Sequence, residues 1–208
     1  MAWGAKVVTV DLPVDRPHEG ADFYAQQVAA QIPAGEPPIV VAHSGAGLIL
    51  PLVASHLEVA RLVYLAAVIP FPQLSFLSQF HDAPDMMHQE WRGKNPVANH
   101  DDARHFLFHD CDERTTAWAL TTLRLWMASG VWPEPCPLVH YPSVPTDYVS
   151  ATFDRTINAV FWERAASKRH DIEPIRMATG HAPHVAQPGE LARILLGVAG
   201  YISAGPSK

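Results

Sequence analysis

The chain has 208 residues, 48% of them hydrophobic and 17% charged, with a net charge of −6. That composition gives one globular domain with a substantial core and excludes a nucleic-acid binder working through a basic tract. No apolar run reaches the roughly 20 residues that cross a bilayer, the N-terminus lacks the charged-then-apolar layout of a signal peptide, and Cys111 and Cys136 are too few for a disulfide framework, so they read as free thiols of a reducing, cytoplasmic compartment.

In chain order, Lys6-Val7-Val8-Thr9-Val10-Asp11 predicts a first strand, ended by Leu12-Pro13. A polar, proline-containing loop follows, and residues 21–32, with Phe23, Val28 and Ile32 spaced among alanines, predict a helix packed on a sheet. Ile39-Val40-Val41-Ala42 predicts a buried strand that stops abruptly at His43-Ser44-Gly45-Ala46-Gly47, after which an apolar helix runs to about His56. Residues 61–68 predict a third strand. Strands alternating with helices imply right-handed crossovers, a parallel sheet and a site at the strands' C-terminal ends. The alternation stops at residues 70–145, where short apolar pieces sit among Pro, His and Asp. That stretch predicts a helical lid inserted over the strand ends, with a core-packing helix at about 113–128 that includes Trp118, Leu120, Leu123, Leu125 and Trp126. Residues 144–153 resume the sheet, a helix follows to about Lys168, residues 172–177 predict the last strand, and a terminal helix runs from about Pro188 to Ile202. The core thus comprises residues 1–69 and 146–208, and the lid 70–145.

The Ser44 turn carries one hydroxyl between two small residues, Ala42 and Ala46. A sharp strand-to-helix turn of this kind closes only when the flanking side chains are small, and it aims helical N–H groups at charge developing beside the hydroxyl. A bland reading, in which Ser44 merely caps the helix, accounts for the motif as well. An acid and a histidine placed after it decide between the two. Asp154 and His181 each lie just past a predicted strand end, giving the order Ser, Asp, His, and the interval between them holds one helix and one strand.

These segments together resemble the α/β-hydrolase superfamily, and within it the small esterases related to plant methylesterases and hydroxynitrile lyases. The resemblance covers nearly the whole chain: residues 8–13 match the strand and loop ahead of the elbow, 41–47 the elbow, Phe153-Asp154-Arg155-Thr156-Ile157 the acid loop, and Gly180-His181-Ala182-Pro183-His184 the histidine loop. It implies Ser44 as nucleophile, Asp154 as acid, His181 as base and the Gly45 N–H as an oxyanion donor. Members usually carry an earlier strand whose His-Gly-type loop supplies a second oxyanion donor, and this chain has no matching segment. The expectation is an N-terminally shortened α/β-hydrolase fold.

Other residues carry less. His105 and His109 are spaced i, i+4 near Asp101, Asp102, Asp110 and Cys111, but no Glu stands as in H-E-x-x-H, so they read as solvated surface and no metal or organic cofactor is expected. His184 is the alternative base and Asp147 and Asp171 the alternative acids, both preceding their strands. His43 reads as structural. The expected chemistry is hydrolysis of a small, largely apolar carboxylic ester, with Trp118, Leu123 and Trp126 as lid candidates for substrate contact. A non-catalytic or weakly active binding protein and a hydroxynitrile-type lyase are the alternatives; the lyase would want an active-site lysine, and Lys94 is the lysine of the lid. A homodimer is possible as the partner of an incomplete sheet.

Overall fold

β-Branched and apolar runs bounded by Pro and Gly build the sheet, as the periodicity demands. The structure, a computed structural model, describes residues 5–124 and 126–200; Leu125 and Ile202, placed by the sequence in helices, lie outside them. Helix α1 (Ala21–Gln31) precedes strand β1 (Ile39–His43); a 3-10 turn (Ser44–Leu48) and the short α2 (Leu50–Val53) lead to β2 (Arg61–Leu65). The middle of the chain holds α3 (Phe76–Asp82), α4 (His100–Asp102), a π-helical turn (Ala103–Leu107) and α5 (Glu113–Thr122). The sheet resumes with β3 (Thr146–Ala151), followed by α6 (Ala159–His170), β4 (Ile175–Met177), α7 (Pro183–Ala186) and α8 (Pro188–Val198). The four strands are parallel in the order β1-β2-β3-β4, so the connections deliver the ends of all four strands to one rim.

Helix ends follow local chemistry. Asp112 caps α5 through Thr115 N, and Asn158 caps α6 through Phe161 N. α5 stops at Thr122, short of the expected 128, where Thr121 and Thr122 turn their hydroxyls back onto the carbonyls of Trp118 and Ala119. The helix expected after the elbow is a 3-10 turn plus a single α-helical turn, because Gly45 and Gly47 favour helix poorly and Pro51 has no N–H to continue the ladder.

One expected strand is not a strand. Residues 6–11 run without a ladder partner, and Val7 and Val8 are exposed, at 80% and 42%. β-Branched residues favour extended backbone, but a strand also needs a neighbour with free N–H and C=O groups, and β1 pairs only with β2 among the described residues. The segment is instead tied down at Asp11, whose backbone exchanges two bonds with the Gln31 side chain and whose carboxylate pairs with Arg124. β1 is therefore an edge strand, and its Val41 is 39% exposed.

The main core packs α1, α2 and α6 against the sheet around Tyr24, Leu50, Tyr64, Ile69 and Trp162. A second apolar cluster forms from Ala103, Phe106, Leu107, Phe108 and Ala119, and it includes Ala182 of the segment after β4. No described helix is long and apolar enough to cross a membrane.

Candidate active site

The turn after β1 is strained at one residue. Ser44 has φ +56°, in the left-handed region that a residue with a side chain seldom occupies. Two features hold it there. The Ser44 carbonyl accepts from Val68 N at 3.1 Å, and Gly47 passes so close to the chain leaving β2 that a Cβ would lie 2.0 Å from the Val68 carbonyl oxygen. Only glycine fits at 47, the position just after the small residue Ala46.

The three residues singled out by order and position meet. His181 Nε2 lies 2.9 Å from Ser44 Oγ, and His181 Nδ1 lies 2.7 Å from Asp154 Oδ2. Ser44 follows β1, Asp154 follows β3 and His181 follows β4, with β2 lying between the first two. The His181 residue is 4% exposed and the Asp154 residue 7%. A carboxylate against Nδ1 holds the proton there, which leaves Nε2 as an acceptor facing the serine hydroxyl. Asp154 Oδ1 is held by three donors: Thr156 N at 2.7 Å, Thr156 Oγ1 at 2.9 Å and Ile157 N at 3.1 Å. The Thr156 oxygen also stands 2.8 Å from His181 Nδ1, so it touches both partners.

His43 lies beneath this group. Its Nε2–H donates to the His181 carbonyl at 2.6 Å, and its ring is 4.7 Å from that of His181 and 4.8 Å from that of His184. Burial, and then the neighbouring imidazoles, hold His43 well below the ordinary histidine range, and burial lowers His184 as well. Both stay neutral beside His181, and His184 takes no part in the contact with Ser44.

The remaining candidates fall elsewhere. Asp147 lies within β3 near its start, not ahead of it, and pairs with Arg61 at 2.6 Å at the opposite end of the sheet; Asp171 is the left-handed cap of α6. Trp118 is 59% exposed on α5, and Leu123 packs on the second apolar cluster. Of the three aromatic and aliphatic candidates for substrate contact, Trp126 alone borders the serine turn: a methyl on Gly45 would sit 4.0 Å from its ring, which leans edge-on against Tyr24. His105 and His109 turn toward Arg155 and the Phe153 carbonyl, and among the described residues no group of three metal-ligating side chains gathers. The Cys111 thiol is pushed up to about 11 by burial and by its acidic neighbours, which leaves it unreactive at neutral pH. A depression of about 600 Å³ lined by Arg61, Tyr141, Thr146 and Arg169 opens at the N-terminal ends of the strands, on the wrong side of the sheet for Ser44.

Thr156, and the clustering of His43 with His181, were not expected from the sequence. A Thr two residues after an acid is a faint signal of an Asx-type turn, but nothing in the chain order says that its hydroxyl also reaches a residue 25 positions away.

Residues 2–194 match the alpha/beta hydrolase family. No curated protein matches. Among solved structures, polyneuridine aldehyde esterase aligns at TM-score 0.74 and 18% identity, over 94% of this chain and 89% of that one. Tomato methylketone synthase I, as a variant complexed with beta-ketoheptanoate, aligns at 0.69 and 19% over 95% and 88%. The methylesterase MES16 from Arabidopsis aligns at 0.66 and 14%, over 88% and 79%.

Proposed function

The chain belongs to the alpha/beta hydrolase family, and from that premise we propose that it is a serine hydrolase cleaving small, largely apolar carboxylic esters through an acyl-enzyme. The observation that carries the reading is the relay of contacts from Ser44 Oγ through both nitrogens of His181 to Asp154. The names of its structural neighbours, which include an esterase, a methylesterase and a pyrethroid hydrolase, point the same way.

In this mechanism His181 Nε2 takes the Ser44 proton as Oγ attacks the ester carbonyl carbon. Negative charge moves to the carbonyl oxygen, where the Gly45 N–H, free of any partner within its own turn, donates to it. His181 then returns the proton to the departing alkoxide, and the acyl-serine forms. A water delivers its proton to the same nitrogen, its oxygen attacks the acyl carbon, and the acid leaves as Ser44 recovers its proton. Asp154 keeps the ring oriented and stabilises the imidazolium. The 70–145 segment acts as the lid, and Trp126 limits the space beside Gly45, which supports a small apolar acyl group. Lys94, which a lyase would need at the reacting carbon, pairs with Asp102 at 3.1 Å.

The test is hydrolysis of p-nitrophenyl acetate together with stoichiometric labelling by a fluorophosphonate. Both are expected in the wild type and absent in Ser44→Ala. Equal rates for the two proteins refute the proposal.

A further inference from the structure

Two neighbouring side chains remain without a role in that reaction, and both reach the catalytic loops. His109 and Asp110 lie in the turn between the π-helical segment and α5. His109 Nε2–H donates to the carbonyl of Phe153 at 3.0 Å, one residue before Asp154. Asp110 Oδ2 accepts from Gly180 N at 2.6 Å and from Thr179 Oγ1 at 2.8 Å, immediately before His181. The two loops also touch each other, through Phe153 N and the Thr179 carbonyl at 3.0 Å. The turn, the acid loop and the histidine loop thus close a ring of hydrogen bonds around the bases of both side chains.

Two further facts make this a fixed arrangement. The turn is built on the second apolar cluster, where Phe106, Leu107 and Phe108 pack with Ala182, the residue after His181. The approach at Gly180 is close: a Cβ there would lie 2.7 Å from Asp110 Oδ1 and 2.7 Å from His109 Nε2. The φ of Gly180 is not in the left-handed region, so what calls for glycine is this proximity.

We propose that His109 and Asp110 are positioning residues, a clamp that sets the distance and angle between the Asp154 carboxylate and the His181 imidazole. The proposal rests on the reading of Ser44, His181 and Asp154 as the catalytic group. Proton transfer depends on sub-ångström placement, and a 1 Å displacement caused by a remote change costs on the order of a hundredfold. A carboxylate accepting a backbone N–H and a hydroxyl is a strong anchor, because charge-assisted bonds are shorter and stiffer than neutral ones. The clamp touches no substrate, so its loss lowers kcat and leaves KM in place.

The experiment compares Asp110→Ala, Asp110→Asn and Gly180→Ala with the wild type. Asp110→Ala is expected to lower kcat about tenfold or more at a KM within twofold of wild type. Asp110→Asn, which keeps an acceptor for Gly180, recovers most of the loss. Gly180→Ala meets only the ends of two side chains, so the protein folds, but the clamp is displaced and kcat falls as in Asp110→Ala. A kcat in Asp110→Ala equal to wild type, or no recovery in Asp110→Asn, overturns the clamp. A second readout needs no turnover and separates this proposal from the ester reaction: the downfield proton resonance of His181 Nδ1–H is expected to be sharp in the wild type and Asp110→Asn, and broadened or lost in Asp110→Ala. If it is unchanged in Asp110→Ala, the clamp is refuted even when no ester is turned over.

Discussion

Thr156 gives the sharpest test of how the acid is held. It is 1% exposed, its hydroxyl donates to Asp154 Oδ1 at 2.9 Å, and its oxygen stands 2.8 Å from His181 Nδ1. Thr156→Val keeps the shape and removes the oxygen. The lost bond to an ionised carboxylate is worth about 1.5–3 kcal/mol, and the extra buried methyl returns about 0.8 kcal/mol. The net destabilisation is therefore about 1–2 kcal/mol, or roughly 2–8 °C in Tm for a chain of this size. The carboxylate does not swing free, because the N–H groups of Thr156 and Ile157 still hold Oδ1 at 2.7 and 3.1 Å. Its orientation toward His181 loosens, and kcat on p-nitrophenyl acetate is expected to fall about tenfold with KM unchanged. Thr156→Ser retains the hydroxyl and is expected to restore most of both quantities. Urea unfolding followed by tryptophan fluorescence measures the first effect and initial rates the second. A Thr156→Val protein matching wild type in both, or a Thr156→Ser protein as damaged as Thr156→Val, refutes the reasoning.

The strain at Ser44 predicts that Ser44→Gly is more stable than Ser44→Ala by about 1 kcal/mol, since glycine occupies φ +56° without a Cβ clash; equal unfolding midpoints would show that the turn carries no strain. His170, pushed down to about 4 by burial and then by Arg169, packs between Tyr141 and Tyr64 with its Nε2 buried and unpartnered among the described residues. Its pKa is lower folded than unfolded, so the unfolded chain binds the extra proton: stability falls as pH drops from about 6.5 towards 4 and is fully present above that window. His170→Phe is expected to reduce that slope by up to one proton, read from unfolding free energies at pH 4.5, 5.5 and 7, and a slope identical to wild type counts against it. Trp126→Ala opens space beside Gly45 and is expected to shift preference from acetyl towards butyryl and longer p-nitrophenyl esters; an unchanged ratio of kcat/KM values would remove Trp126 from the substrate site.

The parts of this molecule that could be read from the sequence are those whose causes are local. The abrupt end of Ile39–His43 at small residues announces the strained serine turn, and the helix–strand alternation orders the four strands. Asp154 and His181 were legible because each follows a strand end, and parallel strands bring those ends to one rim. Residues 6–11 misled for the complementary reason. Their valines state a backbone preference, but a ladder is a property of two segments, and the sequence does not say which edge is free. His43 was read as structural but not as a partner of His181, and the roles of Thr156 and Asp110 were invisible, because these contacts reach residues far along the chain.

That division bears on what the 70–145 segment is for. A flap that merely covered the strand ends would touch them through apolar side chains. Here the segment hydrogen-bonds the acid loop and the start of α6, through both backbone and side chains. His109 reaches the Phe153 carbonyl, the His105 carbonyl accepts from Arg155, His88 N donates to Thr156 O, and Asn158 N and the Trp162 indole both donate to the Met86 carbonyl. An isolated bridge pairs Met87 with Ile157. The serine needs no such help, since Gly47 and Val68 hold its turn against the chain leaving β2. The acid loop has no sheet neighbour beyond β3 and β4, and its polar backbone groups must find partners somewhere. Residues 86–88 and 105–109 supply several of them, so this part of the chain holds the acid loop in place.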